Sequence, residues 1–227
     1  MKKLFGALLG LSILGTPIMA EPKLEPHSWA AMGCMKLGDC REDVYSITDI
    51  SQLREVYGKD WATDFDQASE IQLLIKFLNK TGVGIYVGPS RNFPRGHRGM
   101  YYVDNNEMFL NSGYTWNEDT FLTVLRHEGW HAAQDCMAGN ISNTYMAIIM
   151  DEELVPQEHK LAADIRYGPG NRDVLPWERE AVWAGATRLM TVKALTACRA
   201  GDMWRVYEPT PMTAEWLIDN GYMLPPR

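Results

Sequence analysis

The 227-residue chain is 46% hydrophobic and 22% charged, with 29 acidic against 22 basic residues and a formal charge of −7. That composition builds a globular protein with a sizeable core and excludes a disordered or fibrous one, while the acidic balance argues against nucleic acid or anionic lipid as a partner. No repeat, low-complexity tract or long linker divides it, so one domain is expected over 21–227: an irregular N-terminal segment at 21–48, a core at 49–201 and a C-terminal tail at 202–227.

At the N-terminus, Lys2 and Lys3 precede an apolar run from Leu4 to Leu14, and a stretch from Thr16 ends on the small residue Ala20. This reads as a secretory signal over residues 1–20, cut after Ala20, which places the mature chain outside the cytoplasm as a secreted or periplasmic protein. The apolar run is short for a bilayer span, so no membrane association is expected once it is removed. Cys34, Cys40, Cys136 and Cys198 all lie in the exported part, where two disulfides are expected. Of the three pairings, Cys34 with Cys40 and Cys136 with Cys198 is preferred, because a short loop closes at little entropic cost.

A short helix is expected over 49–57, and a clearer one over 66–80, where Ile71, Leu74, Ile75 and Leu78 share a face and Gly82 follows. A strand at 83–87 comes next. After a basic loop, "RNFPRGHRG", segments 100–103 and 108–110 flank turn-forming residues and predict a hairpin. Asn117 then caps a helix that opens with Glu118 and Asp119 and stops at Gly139. Residues 141–167 read as weakly helical and "YGPGNRDVLP" as a loop. A long helical candidate, 176–201, precedes the proline- and tryptophan-containing tail. The order gives an α+β fold: a small antiparallel or mixed sheet with a backing helix, the helix after Asn117, and a later helix.

The helix after Asn117 carries "HEGWH". His127 and His131 are one turn apart and project from one face, the separation that lets two imidazoles share one tetrahedral zinc. Glu128 sits beside them, free to act as general base on a water activated by the metal. Phe121, Leu122, Leu125, Ala132 and Ala133 mark the same helix as buried, and two histidines and a carboxylate inside a domain need a strong partner. Trp130, between the histidines, is expected to pack behind them. A third ligand on the same helix, in the metzincin manner, is excluded by Gln134 and Met137 at the positions that pattern requires. A later helix is the remaining source, with Glu178 and Glu180 in "PWEREAVWAGA" as candidates.

"HEGWH" followed by "EREAVWA" resembles the gluzincins, thermolysin-like zinc metallopeptidases, and is closest to their compact ImmA/IrrE-like members over about residues 66–200. The resemblance implies a zinc cofactor, peptide or protein as substrate, metal ligands His127, His131 and Glu180 (the glutamate before the alanine), and Glu128 as catalytic base. It also implies substrate extended along the strand near Met108 to Leu110, at a sheet edge. His159, Tyr167 and Arg172 lie in the stretch from which a group steadying the oxyanion would come, or are ordinary surface residues. Arg91, Arg95, Arg98 and His97 could draw an acidic substrate or simply be a solvated loop. The competing readings are an exported binding protein stapled by its metal, and a zinc amidase acting on cell-wall peptides.

Overall fold

The computed structural model describes residues 24–225. The expected signal at 1–20 lies outside them, and among the described residues no helix is long and apolar enough to cross a membrane. In chain order the elements are α1 (Trp29–Leu37), β1 (Tyr45–Ser46), α2 (Ile50–Tyr57), α3 (Phe65–Thr81), β2 (Gly84–Gly88), β3 (Gly99–Tyr102), β4 (Glu107–Asn111), α4 (Glu118–Met137), α5 (Gln157–Tyr167), α6 (Leu175–Ala186), α7 (Met190–Ala200), α8 (Met203–Val206) and α9 (Pro211–Asp219). The fold is α+β, with a mixed, open four-stranded sheet in the order β1-β2-β4-β3.

Local chemistry sets the boundaries. The Asp64 carboxylate caps α3 by accepting from Gln67 N–H, and Gly82 closes it at φ +101°, a left-handed conformation that glycine adopts without steric cost. Between those caps Ile71, Leu74, Ile75 and Leu78 are wholly buried. They meet Ile85, Val87, Met108 and Leu110 in the main core. Phe109, between Met108 and Leu110, points to the opposite face by strand alternation and is also buried.

That second face is covered by α1. Met32 and Met35 pack with Phe93 and Phe109, so part of the segment expected to be irregular is a helix. Ser28 caps it by accepting from Ala31 N–H, and Gly38 ends it. The Cys34–Cys40 disulfide ties its end to the following turn. The helix is short and its apolar residues form no distinct stripe, which hides it from a reading based on periodicity.

A second difference is the sheet edge. β4 pairs with β2 on one side, in parallel, and with β3 on the other, antiparallel. The strand at Met108 to Leu110 is therefore interior; the edges are β1 and β3, and β3 is the one that lies against α4. Tyr101 fastens that edge to α4 by donating its hydroxyl to Asp135 Oδ2 at 2.6 Å.

The segment at 141–167 is helical only in α5 and a single 3-10 turn at Glu152–Leu154. Before those, backbone donors are engaged by distant groups: Ala147 N–H donates to Gln134 O, and Ile149 and Met150 N–H donate to Glu180. The helical candidate at 176–201 is broken into α6 and α7 at Leu189, which has φ +58°. The buried Glu70 carboxylate holds the break, accepting from Leu189 N–H at 2.8 Å while Arg126 pairs with both its oxygens. The bend lets Cys198 on α7 return to Cys136 on α4, the expected disulfide, at a Cα separation of 5.8 Å. The tail contributes α8 and α9, fixed by Trp204 Nε1 donating to Met137 O and Thr213 Oγ1 to Ile148 O.

Because Cys136 and Cys198 are 62 residues apart, their bond closes a long loop in the unfolded chain. The double variant Cys136→Ala/Cys198→Ala should lose about 4 kcal/mol of unfolding free energy in urea titrations. A loss below about 1 kcal/mol would show that the link constrains the unfolded chain far less than its loop length requires.

Candidate metal centre

The Asn117 side chain caps α4 by accepting from Thr120 N–H, and the helix then runs through the interior. Its neighbours approach closely. A Cβ built on Gly129 would lie 2.9 Å from Thr191 of α7, and one on Gly185 of α6 would lie 3.0 Å from Thr123 O and 3.4 Å from His127 Cβ. The small residue at 185 thus lets α6 cross α4 beside the first histidine. A Cβ on Gly99 would stand 2.8 Å from Glu128 Oε1, so the sheet edge presses on the glutamate.

The crossing delivers Glu178. Its Oε2 is 3.3 Å from His127 Nε2 and its Oε1 is 3.7 Å from His131 Nε2. The ligand atoms of His127, His131 and Glu178 all lie within 4.8 Å of one another, so this group can hold a metal ion. Glu178 Oε2 is buried and makes no hydrogen bond, despite its closeness to His127. A buried carboxylate oxygen facing a ring nitrogen without a shared, aligned proton fits a cation between them.

The electrostatics agree. Burial acts to raise the Glu178 pKa, yet His131 and His127 outweigh it and hold it well below the usual carboxylate range. Burial acts to lower that of His131, but Glu178 and Glu128 push it up to about 9. The cluster attracts positive charge, whether a proton or a metal.

Glu180, the expected third ligand, is not at this site. Residues two apart on a helix differ by about 200° in direction, so only one of the two glutamates can face the histidines. Glu180 is 1% exposed and its carboxylate accepts from Ile149 and Met150 N–H, Trp130 Nε1 and Gln134 Nε2. It reaches the centre only indirectly. With its amide nitrogen committed to Glu180 Oε2 and Trp177 O, Gln134 presents its oxygen to His131 Nδ1 at 2.8 Å. Nδ1 then carries a hydrogen, which leaves Nε2 as the ring atom facing Glu178, able to hold either a proton or a metal ion there. Gln134 had no role in the sequence reading beyond excluding one family. Its position three residues after His131 was the available signal.

His127 and Glu128 floor a cleft of about 570 Å³ between β3 and α5. Burial raises the Glu128 pKa, opposed by His127 and His131 and by a hydrogen bond from the Tyr101 backbone. The Tyr167 hydroxyl lies 3.4 Å from His127 Nε2, and its pKa is raised by burial and by Glu178. His159 lines the cleft, whereas Arg172 is not among its lining residues. Arg95, Arg98 and His97 line it too, while Arg91 pairs with Asp43 elsewhere.

Two outcomes separate the glutamates. Glu178→Ala should weaken zinc binding by more than about 100-fold in calorimetric titration, beyond the loss typical of an outer partner. Glu180→Ala should cost more than about 3 kcal/mol of stability by stranding buried donors. Zinc lost from Glu180→Ala but kept, in a well-folded protein, by Glu178→Ala would reverse the assignment. A third concerns pH. Asp135 is fully buried with Oδ1 unpartnered, and burial, against the Tyr101 hydrogen bond, pushes its pKa up to about 7. The folded state thus holds this proton more tightly than the unfolded chain, and stability is lost as pH rises from about 4 toward about 7. Asp135→Asn removes the titration while keeping an acceptor for Tyr101. Its melting temperature relative to the original protein should rise by several degrees between about pH 4 and about pH 8. A difference independent of pH would contradict this. Comparison with protein-family models, curated proteins and solved structures found no match, so the geometry itself carries the functional reading.

Proposed function

We propose that the chain is an exported zinc metallopeptidase of gluzincin type that hydrolyses peptide bonds in its β3–α5 cleft. The observation that carries this reading is the juxtaposition of two different carboxylates with two histidines. Glu178 faces both ring nitrogens, and Glu128 stands beside them at the cleft floor. Two nitrogens and one oxygen suit zinc, and three protein ligands leave a position open. A purely structural zinc site would be closed by a fourth ligand and would have no use for an adjoining base and cleft.

When bound, zinc would supply Lewis acidity, polarising the scissile carbonyl and acidifying water. The remaining chemistry belongs to the chain's own residues. Glu128 takes a proton from the attacking water and returns it to the leaving amine. The Tyr167 hydroxyl donates a hydrogen bond toward the carbonyl oxygen as negative charge develops there. Arg98 O accepts from Asn111 N–H, so by alternation the backbone groups of Gly99 and Tyr101 turn away from β4. Those of Tyr101 steady Glu128, and those of Gly99 are available to an extended peptide added at the edge.

Two disulfides support an oxidising compartment, in keeping with the signal read at the N-terminus. A tail folded into the cleft would have favoured a metal-stapled binding protein. Trp204 and Thr213 instead anchor the tail at Met137 and Ile148. Metal analysis with a peptide-library digest tests the proposal. Glu128→Gln should retain about one zinc per chain and lose about 10²- to 10⁴-fold in turnover. Tyr167→Phe should lower kcat by about 10²-fold with little change in peptide binding. Undiminished turnover in Glu128→Gln would reject hydrolysis at this site.

A further inference from the structure

We infer that the cleft selects peptides carrying a carboxylate near the scissile bond, recognised by Arg95, Arg98 and Arg166; this substrate class rests on the peptidase reading above. The inference starts from charge placement. The chain is acidic overall, yet three exposed arginines and three histidines line the cleft, and among the described residues Glu128 is the only carboxylate lining it. Elsewhere Arg91, Arg126, Arg179, Arg188 and Arg205 each pair with aspartate or glutamate. Among the described residues Arg95, Arg98 and Arg166 have no ion pair; Arg54, Arg172 and Arg199 also have none but lie outside the cleft, Arg54 bound to backbone carbonyls and Arg199 over Phe77. On an acidic surface with carboxylates in excess, three unpaired guanidinium groups around one concavity are a place for an incoming anion.

The backbone that carries these arginines is also held in place, unlike that of a merely solvated loop. Pro94 to His97 form a tight turn, with His97 N–H donating to Pro94 O and Gly96 at φ +85°, as a type II turn requires. Phe93 is wholly buried at its base. Buried Asn111 clamps the far side: its amide nitrogen donates to His97 O at 2.8 Å and its backbone N–H to Arg98 O at 2.9 Å. Ser90 fixes Asn111 in turn by donating to its side-chain oxygen. Across the cleft, Arg166 stands next to Tyr167 on α5, and Asp164 of the same helix is joined to Arg179 of α6. Two walls thus present guanidinium groups to one space, where planar, two-pronged pairing with a carboxylate is favoured. A carboxylate can come from an acidic side chain or from a peptide C-terminus, and both offer the same two oxygens.

Quenched fluorogenic peptides that differ only in Glu, Gln or Lys at the three positions on either side of the cleaved bond, each with a free or amidated C-terminus, test this on the zinc-loaded protein. The Glu peptide should exceed its Gln counterpart by about tenfold in kcat/KM, with Lys lowest, and the ratio should shrink as salt rises. In Arg95→Gln/Arg98→Gln/Arg166→Gln the ratio should fall toward one, and each single variant should lower it in part. Arg91→Gln, outside the cleft, should leave it intact. A preference that follows the free C-terminus alone supports recognition of a carboxylate and assigns its source to the chain end. Anisotropy of the same peptides on Glu128→Gln protein gives a reading that needs no turnover. Acid-selective binding without cleavage by the original protein would reject the peptidase reading and keep the inference. Cleavage or binding indifferent to Glu, Gln and chain end, or a ratio unchanged in the triple variant, would overturn the inference and leave the peptidase reading standing.

Discussion

The arrangement depends on one buried carboxylate that is not among the candidate metal ligands. Glu180 gathers donors from α4 and from the irregular segment around residue 149, and so locks α6 against both. Burying that charge is costly unless its lone pairs are filled, and here two backbone and two side-chain donors fill them. With Glu180 facing the core on one side of α6, Glu178 has no choice of direction: it must face His127 and His131. The same carboxylate orients Gln134, which sets the hydrogen on His131. One helix therefore uses two glutamates two residues apart for opposite ends, one to fix its own rotation and one to face the two histidines.

Comparable pairings position the rest of the cleft. Glu70, bound by Arg126 and by the backbone of Leu189, breaks the helix that would otherwise carry Cys198 far from Cys136. Asp135 and Tyr101 bind the open edge of the sheet to α4, four residues beyond His131, so edge and histidines keep a fixed spacing. Each joins elements distant in sequence, and each sits beside a functional group without being one. Packing supplies most of the driving force, but these polar contacts set register, because a buried carboxylate tolerates few alternative arrangements of its donors.

Much of this was legible in the sequence where local rules act. The caps at Gly82 and Asn117, the hairpin, the buried face of α3 and the two-histidine face of α4 all follow from side chains within a few residues of one another. The disulfide pairing was legible too, since the short Cys34–Cys40 loop closes at little entropic cost. The register of α6 was not. Glu178 and Glu180 are equivalent in local chemistry, and what separates them is the pair of backbone donors at Ile149 and Met150, some thirty residues away and recruited only in three dimensions. The motif resemblance favoured Glu180, the member that the structure turns away from the histidines, for that reason. Likewise α1 has too weak an apolar pattern to announce itself, and β3 rather than β4 forms the edge because β2 takes β4's other side across a connection that local pattern does not specify.

The most direct measurement is anomalous diffraction at the zinc absorption edge from crystals of the mature protein grown with zinc. A zinc centre built as described predicts a single strong peak about 2.0–2.2 Å from Nε2 of His127, Nε2 of His131 and a carboxylate oxygen of Glu178, with Glu180 still bound to Trp130 and the backbone at residues 149 and 150. A peak ligated by Glu180, or the absence of any peak between the two histidines, would contradict it.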